Sequence, residues 1–107
     1  MGLMDEALSA MEEALSLDPT LDRGHYMYGV FLNEVGRHDE AIREYDAETR
    51  INPDFAPAHL NLALTHFFHG GNPNLAVFHY RRHLALGGEP VPALEAVKAD
   101  LEPPKSP

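Results

Sequence analysis

Apolar side chains recur with a helical period from the start of the chain. Between residues 3 and 17, Met4, Leu8, Met11 and Leu15 fall at i, i+4, i+7 and i+11, with Ala7 and Ala14 beside them. That stripe predicts an amphipathic helix whose other faces carry Asp5, Glu6, Glu12 and Glu13. Pro19 follows its end. The same reasoning predicts helices over about 22–35, stopped by Gly36, and over 38–51, ending before Pro53. A fourth runs over about 55–69 into Gly70-Gly71. The fifth, about 74–86, starts after Asn72-Pro73, a side-chain cap and a first-turn proline, and ends at Gly87-Gly88. A sixth, 92–101, places Leu94, Val97 and Leu101 at i, i+3 and i+7. No stretch alternates as a strand would, so the fold class is all-α. The Pro-rich residues 103–107 are expected to be a disordered tail.

The helices repeat. Gly2, Asp5, Glu6 and Ala7 match Gly36, Asp39, Glu40 and Ala41 at an offset of 34, and Leu17-Asp18-Pro19 matches Ile51-Asn52-Pro53 at the same offset. A third copy runs through Ala76, Tyr80 and Gly88, offset by 35 from Ala41, Tyr45 and Pro53. The extra residue falls in the turn-rich Gly70-Gly71-Asn72-Pro73, where an insertion costs little.

The second unit reads His25-x2-Tyr28-Gly29-x2-Leu32, Ala41-x3-Tyr45, Pro53, and the third His59-x2-Leu62-Ala63-x2-His66, Ala76-x3-Tyr80, Gly88. The first supplies only Ala7-x3-Met11 and Pro19. Across residues 2–88 this resembles the tetratricopeptide repeat family. The resemblance implies antiparallel helix hairpins stacked into a solenoid. Residues 1–20 would be the second helix of a truncated first unit, 21–54 and 55–88 two full units, and 89–102 a C-terminal capping helix. Gly29 and Ala63 would sit where the two helices of a hairpin cross, with Ala7, Ala41 and Ala76 in the facing places. Small residues there allow helix axes to approach within about 8–10 Å. Histidines 25 and 59 replace the family's large anchor, and Glu48 and His83 stand where a small residue is preferred. A buried Glu48 needs a partner, and His59 is the candidate.

The family lines its concave surface with the first helix of each unit. By motif match, that assigns a partner-binding wall to Arg23, Tyr26, Val30 and Asn33 of the second unit, and to Leu60, Asn61, Leu64 and Phe67 of the third. Places that hold a C-terminal carboxylate in the family's chaperone-tail binders carry Tyr26 and Val30 here, which argues against that specificity. The resemblance implies a protein–protein interaction scaffold that takes an apolar peptide or amphipathic helix. The alternatives are a self-assembling oligomer and an accessory region of a larger enzyme. A stripe of Met4, Leu8, Met11 and Leu15 without a preceding helix is expected to be exposed and to drive self-association.

Charge narrows the choices. Residues 1–54 hold 13 acidic and 4 basic side chains, residues 55–107 hold 4 of each, and the whole chain carries −9. An acidic chain offers no general attraction to nucleic acid or anionic lipid, though its uneven charge suits head-to-tail attraction between copies. No apolar run reaches the ~20 residues of a membrane helix. The lack of cysteine excludes thiolate metal sites and a cysteine nucleophile, and fits a cytoplasmic protein. His79 and His83 share an i, i+4 face, but only Tyr80-Arg81-Arg82 lies between them, with no carboxylate, and packing is the expected role. The serines are Ser9, Ser16 and Ser106, so no catalytic triad can be assembled. No cofactor, metal or catalytic group is expected.

Overall fold

A computed structural model describes residues 2–102; the expected 103–107 tail lies outside the described residues. Among the described residues six helices follow one another: α1 (Leu3–Leu17), α2 (Gly24–Glu34), α3 (His38–Ile51), α4 (Ala56–Phe68), α5 (Pro73–Ala85) and α6 (Pro92–Leu101). Each packs mainly on its neighbour in sequence, and α6 also touches α4. The result is elongated, 58 × 26 × 18 Å, as stacking of hairpins requires.

The helix ends obey local chemistry. Asn72 caps α5 by accepting the Leu75 N–H at 3.1 Å, and Pro73 opens the first turn. Gly36, at φ +82°, ends α2; its own N–H meets Asn33 O and the Arg37 N–H meets Leu32 O. The start of α2 lacks any such local cap. Its N-cap residue, Arg23, is left-handed at φ 58° and gives no side-chain hydrogen bond.

Glu48 takes over that role from another helix. Its side chain is fully buried, Oε1 accepts the Tyr26 N–H at 3.0 Å, and Oε2 accepts from the Asn52 amide. An anion at an unpaired helix N-terminus satisfies an orphan donor and meets the positive end of the dipole. The expected Glu48–His59 pair does not form. His59 instead places Nε2 2.8 Å from Pro53 O, and His25 repeats this on Pro19 O at 2.7 Å. The histidines thus hook each unit's first helix to the loop before it.

Two clusters of apolar side chains form the core. Leu8, Leu32, Ala41, Tyr45 and Leu62 join α1 to α4, and Ala63, Tyr80 and Leu94 join α4 to α6. Gly29 faces the ring of Tyr45, where a Cβ would come within 2.6 Å of Cε1; the close contact falls one turn beyond the Ala41 expected there. Gly88 likewise leaves room for the His83 ring, 2.1 Å from where a Cβ would stand, so the third unit closes with glycine in place of proline. Leu94 is fully buried and anchors α6, whereas Val97 is half-buried and Leu101 is exposed.

The α1 stripe does not face solvent. Leu8 is 6% exposed inside the first cluster, and Met4, Met11 and Leu15 are half-buried. α2 packs directly on that face, with Leu15 beside Gly24. The exposure expected of these residues is therefore corrected, and the large apolar residues that α1 does expose are Leu3 and Leu17.

Four histidines are buried in the third unit, and three of them, His59, His66 and His79, lie together. Pro53 O can only accept, so His59 Nε2 carries the proton there and its Nδ1 is left as an acceptor. His79 Nδ1, 3.2 Å away, is then the donor. A second proton on this pair would set two N–H groups against each other. Burial, with His59 and His66 nearby, lowers His79 to about 4, and burial lowers His66 despite Asp46. Two shifts run the other way: burial raises Asp46, and His25 is raised, against burial, by its hydrogen bonds to Glu44 and Pro19 O.

Gly29→Ala is expected to destabilise the protein by about 1–3 kcal/mol, although alanine is the better helix former, because Tyr45 cannot retreat. Urea unfolding measures this, and a gain in stability would reject the contact. His79 and His66 bind protons more tightly when unfolded, so their contribution is present above the unfolded value near 6.5 and is lost as pH falls toward 4. The melting temperature should drop between about pH 7 and about pH 5, with a smaller drop in His79→Leu.

Candidate functional groove

Between α2 and α4 lies a groove of about 390 Å³. Val30, Leu64 and Phe68 supply its apolar walls, and Asn33, Tyr45, Asn61 and Thr65 supply polar groups. Glu34, His38 and His69 complete the lining. Phe68 is 60% exposed, a large apolar surface to leave in water.

The floor is a connected polar network. The Asn33 amide donates to Thr65 Oγ1 at 3.0 Å and to the Tyr45 hydroxyl at 3.3 Å, and the Asn61 amide donates to the same hydroxyl at 3.3 Å. With both amide hydrogens used, Asn33 Oδ1 accepts from His38 Nδ1 at 2.8 Å. The His38 ring stacks on His69, centroids 3.5 Å apart and planes within 7°. Burial raises the Tyr45 hydroxyl above its ordinary value of 10, against the two amides, so it keeps its proton at neutral pH. In these bonds the hydroxyl oxygen only accepts, and the Asn61 carbonyl oxygen takes part in neither.

The eight residues expected to form one wall do not do so. Val30, Asn33, Asn61 and Leu64 line the groove together. Tyr26 is half-buried, edge-on to Phe55 at 5.1 Å and tilted against Tyr45 at 5.9 Å. Arg23 lies over Phe55, 4.8 Å from the ring centre, beside a separate hollow of about 310 Å³ with Asp22, Ile51 and Asp54. Leu60 and Phe67 are partly buried against the cluster of Ala63, Tyr80 and Leu94, away from the groove lining. Phe68, His38, His69, Tyr45 and Thr65 were not expected in a groove. One helical residue turns the side chain by about 100°, which separates Phe68 from Phe67.

Among the described residues no group of three His, Asp or Glu side chains is placed to hold a metal ion. His79 and His83 diverge, His79 toward His59 and His83 Nε2 onto Glu89 O at 2.8 Å. Nor is any described helix long and apolar enough to cross a membrane.

Stacked antiparallel hairpins with small residues at the crossings define a helical-repeat interaction module. Comparison with known proteins agrees. A family model described as tetratricopeptide repeat matches residues 1–21. The tetratricopeptide repeat and J domain-containing co-chaperone DNJ1 of Cryptococcus neoformans var. grubii is 36% identical over 62 residues, 58% of this chain and 12% of that protein. The crystal structure of MamA protein superposes with a TM-score of 0.71 at 25% identity, covering 97% of this chain and 52% of that one. The chain is thus similar to tetratricopeptide repeat proteins in part of its sequence and in its fold, and it spans only a fraction of either relative's length.

Tyr45→Phe removes the acceptor shared by Asn33 and Asn61 while keeping the ring in the Gly29 notch. It is expected to cost about 1 kcal/mol of stability, read from urea unfolding, with helical content unchanged.

Proposed function

We propose that the α2–α4 groove binds a short segment of a protein partner and that the module works as a scaffold without catalysis. The observation that carries this reading is Phe68, left 60% exposed beside Val30 and Leu64 above a polar floor. An apolar anchor of the partner would sit against those three side chains, giving up water on both surfaces. The Asn61 carbonyl oxygen would meet the partner's polar main chain, with the buried Tyr45 hydroxyl holding the Asn61 amide in place. An apolar helix face or an extended segment fits the groove, since both present an anchor beside polar backbone or side-chain atoms. Tyr26, Leu60 and Phe67 would support the walls from beneath rather than touch the partner.

Binding should therefore depend more on Phe68 and Leu64 than on Phe67. With the partner recovered by pull-down from the native host, isothermal titration should show Phe68→Ala and Leu64→Ala weakening affinity by about 1–2 kcal/mol each, roughly five- to thirtyfold. Arg43→Ala, on the exposed side of α3, is the neutral control. Glu44 is unsuitable for that purpose because it holds His25 Nδ1 at 2.8 Å. Salt should have only a small effect, since apolar burial drives binding. Unchanged affinity in both groove variants would reject the groove.

A further inference from the structure

Comparison of the three equivalent helices α1, α3 and α5 isolates a second surface, distinct from the groove. At the two places where the first unit carries Glu6 and Ser9 and the second carries Glu40 and Arg43, the third carries Leu75 and Phe78. Leu75 is 41% exposed and Phe78 is 59% exposed. Arg82 lies one turn further along the same face, with Arg81 beside it, and both guanidinium groups are about half exposed. Their ion pairs, Arg81 with Glu102 at 3.5 Å and Arg82 with Asp54 at 3.9 Å, are surface contacts of little strength. Three units with one backbone thus present unlike outer faces, and only α5 combines exposed apolar side chains with cations there.

The opposite combination is found on α1. Leu3, Ala10 and Leu17 recur every seven residues on the side turned away from α2, with Leu3 85% and Leu17 80% exposed. Glu6 and Glu13 run beside them, and among the described residues neither has an ion-pair partner. At 1.5 Å per residue this line is about 21 Å long, ample for the about 15 Å from Leu75 to Ala85. The apolar residues match in kind and the charges are opposite in sign.

We infer that the Leu75–Phe78–Arg82 face of α5 docks the Leu3–Leu17 face of α1 in a second copy of this chain, with Glu6 and Glu13 against Arg81 and Arg82. Because the two faces differ, the contact is heterologous and can propagate from copy to copy. One helix laid on another covers less than the ~1,200 Å² at the lower limit of stable interfaces, so association is weak and reversible. The groove between α2 and α4 takes no part in it.

Sedimentation equilibrium of the wild-type chain should give a mass that rises above the 11.9 kDa monomer toward about 0.5 mM protein at low salt and falls back as salt is added. Phe78→Glu and Leu17→Glu should each raise the apparent dissociation constant by about tenfold or more. Both sites are exposed, and an unchanged circular dichroism melt verifies that folding is intact. Arg82→Glu and Glu13→Lys should each weaken association, and the double variant should recover it, which a loss of folding would not produce. A wild-type chain that stays monomeric across that range overturns the assignment, leaving the α5 face to some other partner. Association indifferent to Phe78→Glu, or a double variant no better than either single one, overturns it equally.

Discussion

The ring of Tyr45 lying in the notch at Gly29 is the contact on which the second unit and the groove both depend. A helix crossing without a Cβ lets the aromatic ring settle against the α2 backbone, and this fixes the spacing of α2 and α3. The ring also fixes where its hydroxyl emerges. That oxygen gathers Asn33 from α2 and Asn61 from α4, so a packing contact in one hairpin sets the floor of the groove between two. Close packing and the polar floor of the groove here share one side chain, and a shift of the ring would loosen both.

The places that the family keeps small show how the chain tolerates polar side chains in a core. Ala14, Glu48 and His83 occupy one equivalent position in the three units. Glu48 completes the N-terminus of α2, which its own N-cap residue cannot do, and His83 reaches the carbonyl of Glu89. In each case the buried group finds a backbone partner across a helix junction, and removing the polar side chain would leave that partner unsatisfied. The two buried ends therefore stiffen the joints between helices, where a solenoid with only nearest-neighbour contacts has least redundancy.

Much of the fold was legible because its signals are local or periodic. Pro19, Pro53, Gly36 and Asn72-Pro73 mark helix ends by what the backbone can do there, and the 34-residue spacing supplies the stacking. The groove was less legible because it depends on rotations that periodicity does not resolve. Phe67 and Phe68 look alike in a sequence, yet one packs against the core cluster of Ala63, Tyr80 and Leu94 and the other is left at the rim. His38 belongs to the second helix of its unit and enters the groove only because the turn at Gly36 returns it to Asn33. A buried Glu48 needs a partner, but the residue types along a chain pair side chains by charge and give no sign of the Tyr26 backbone N–H that meets it.

A repeat protein separates what its sequence must conserve for shape from what it is free to vary for recognition. The crossing residues Ala41 and Ala76 are fully buried and identical, so α3 and α5 hold equivalent places. The outer residues of those same helices then differ for reasons that packing does not supply, since solvent accepts Glu40 and Arg43 at lower cost than Leu75 and Phe78. The concave groove obeys the same logic in reverse: Asn33 and Thr65 meet across two units, so neither unit alone could build it. The proposed recognition on the inner face would thus require the stack, whereas the inferred docking on the outer face would require only one helix of each copy. A loss of stacking would abolish the first and spare the surface of the second. The two faces are for that reason physically independent, although one chain carries both.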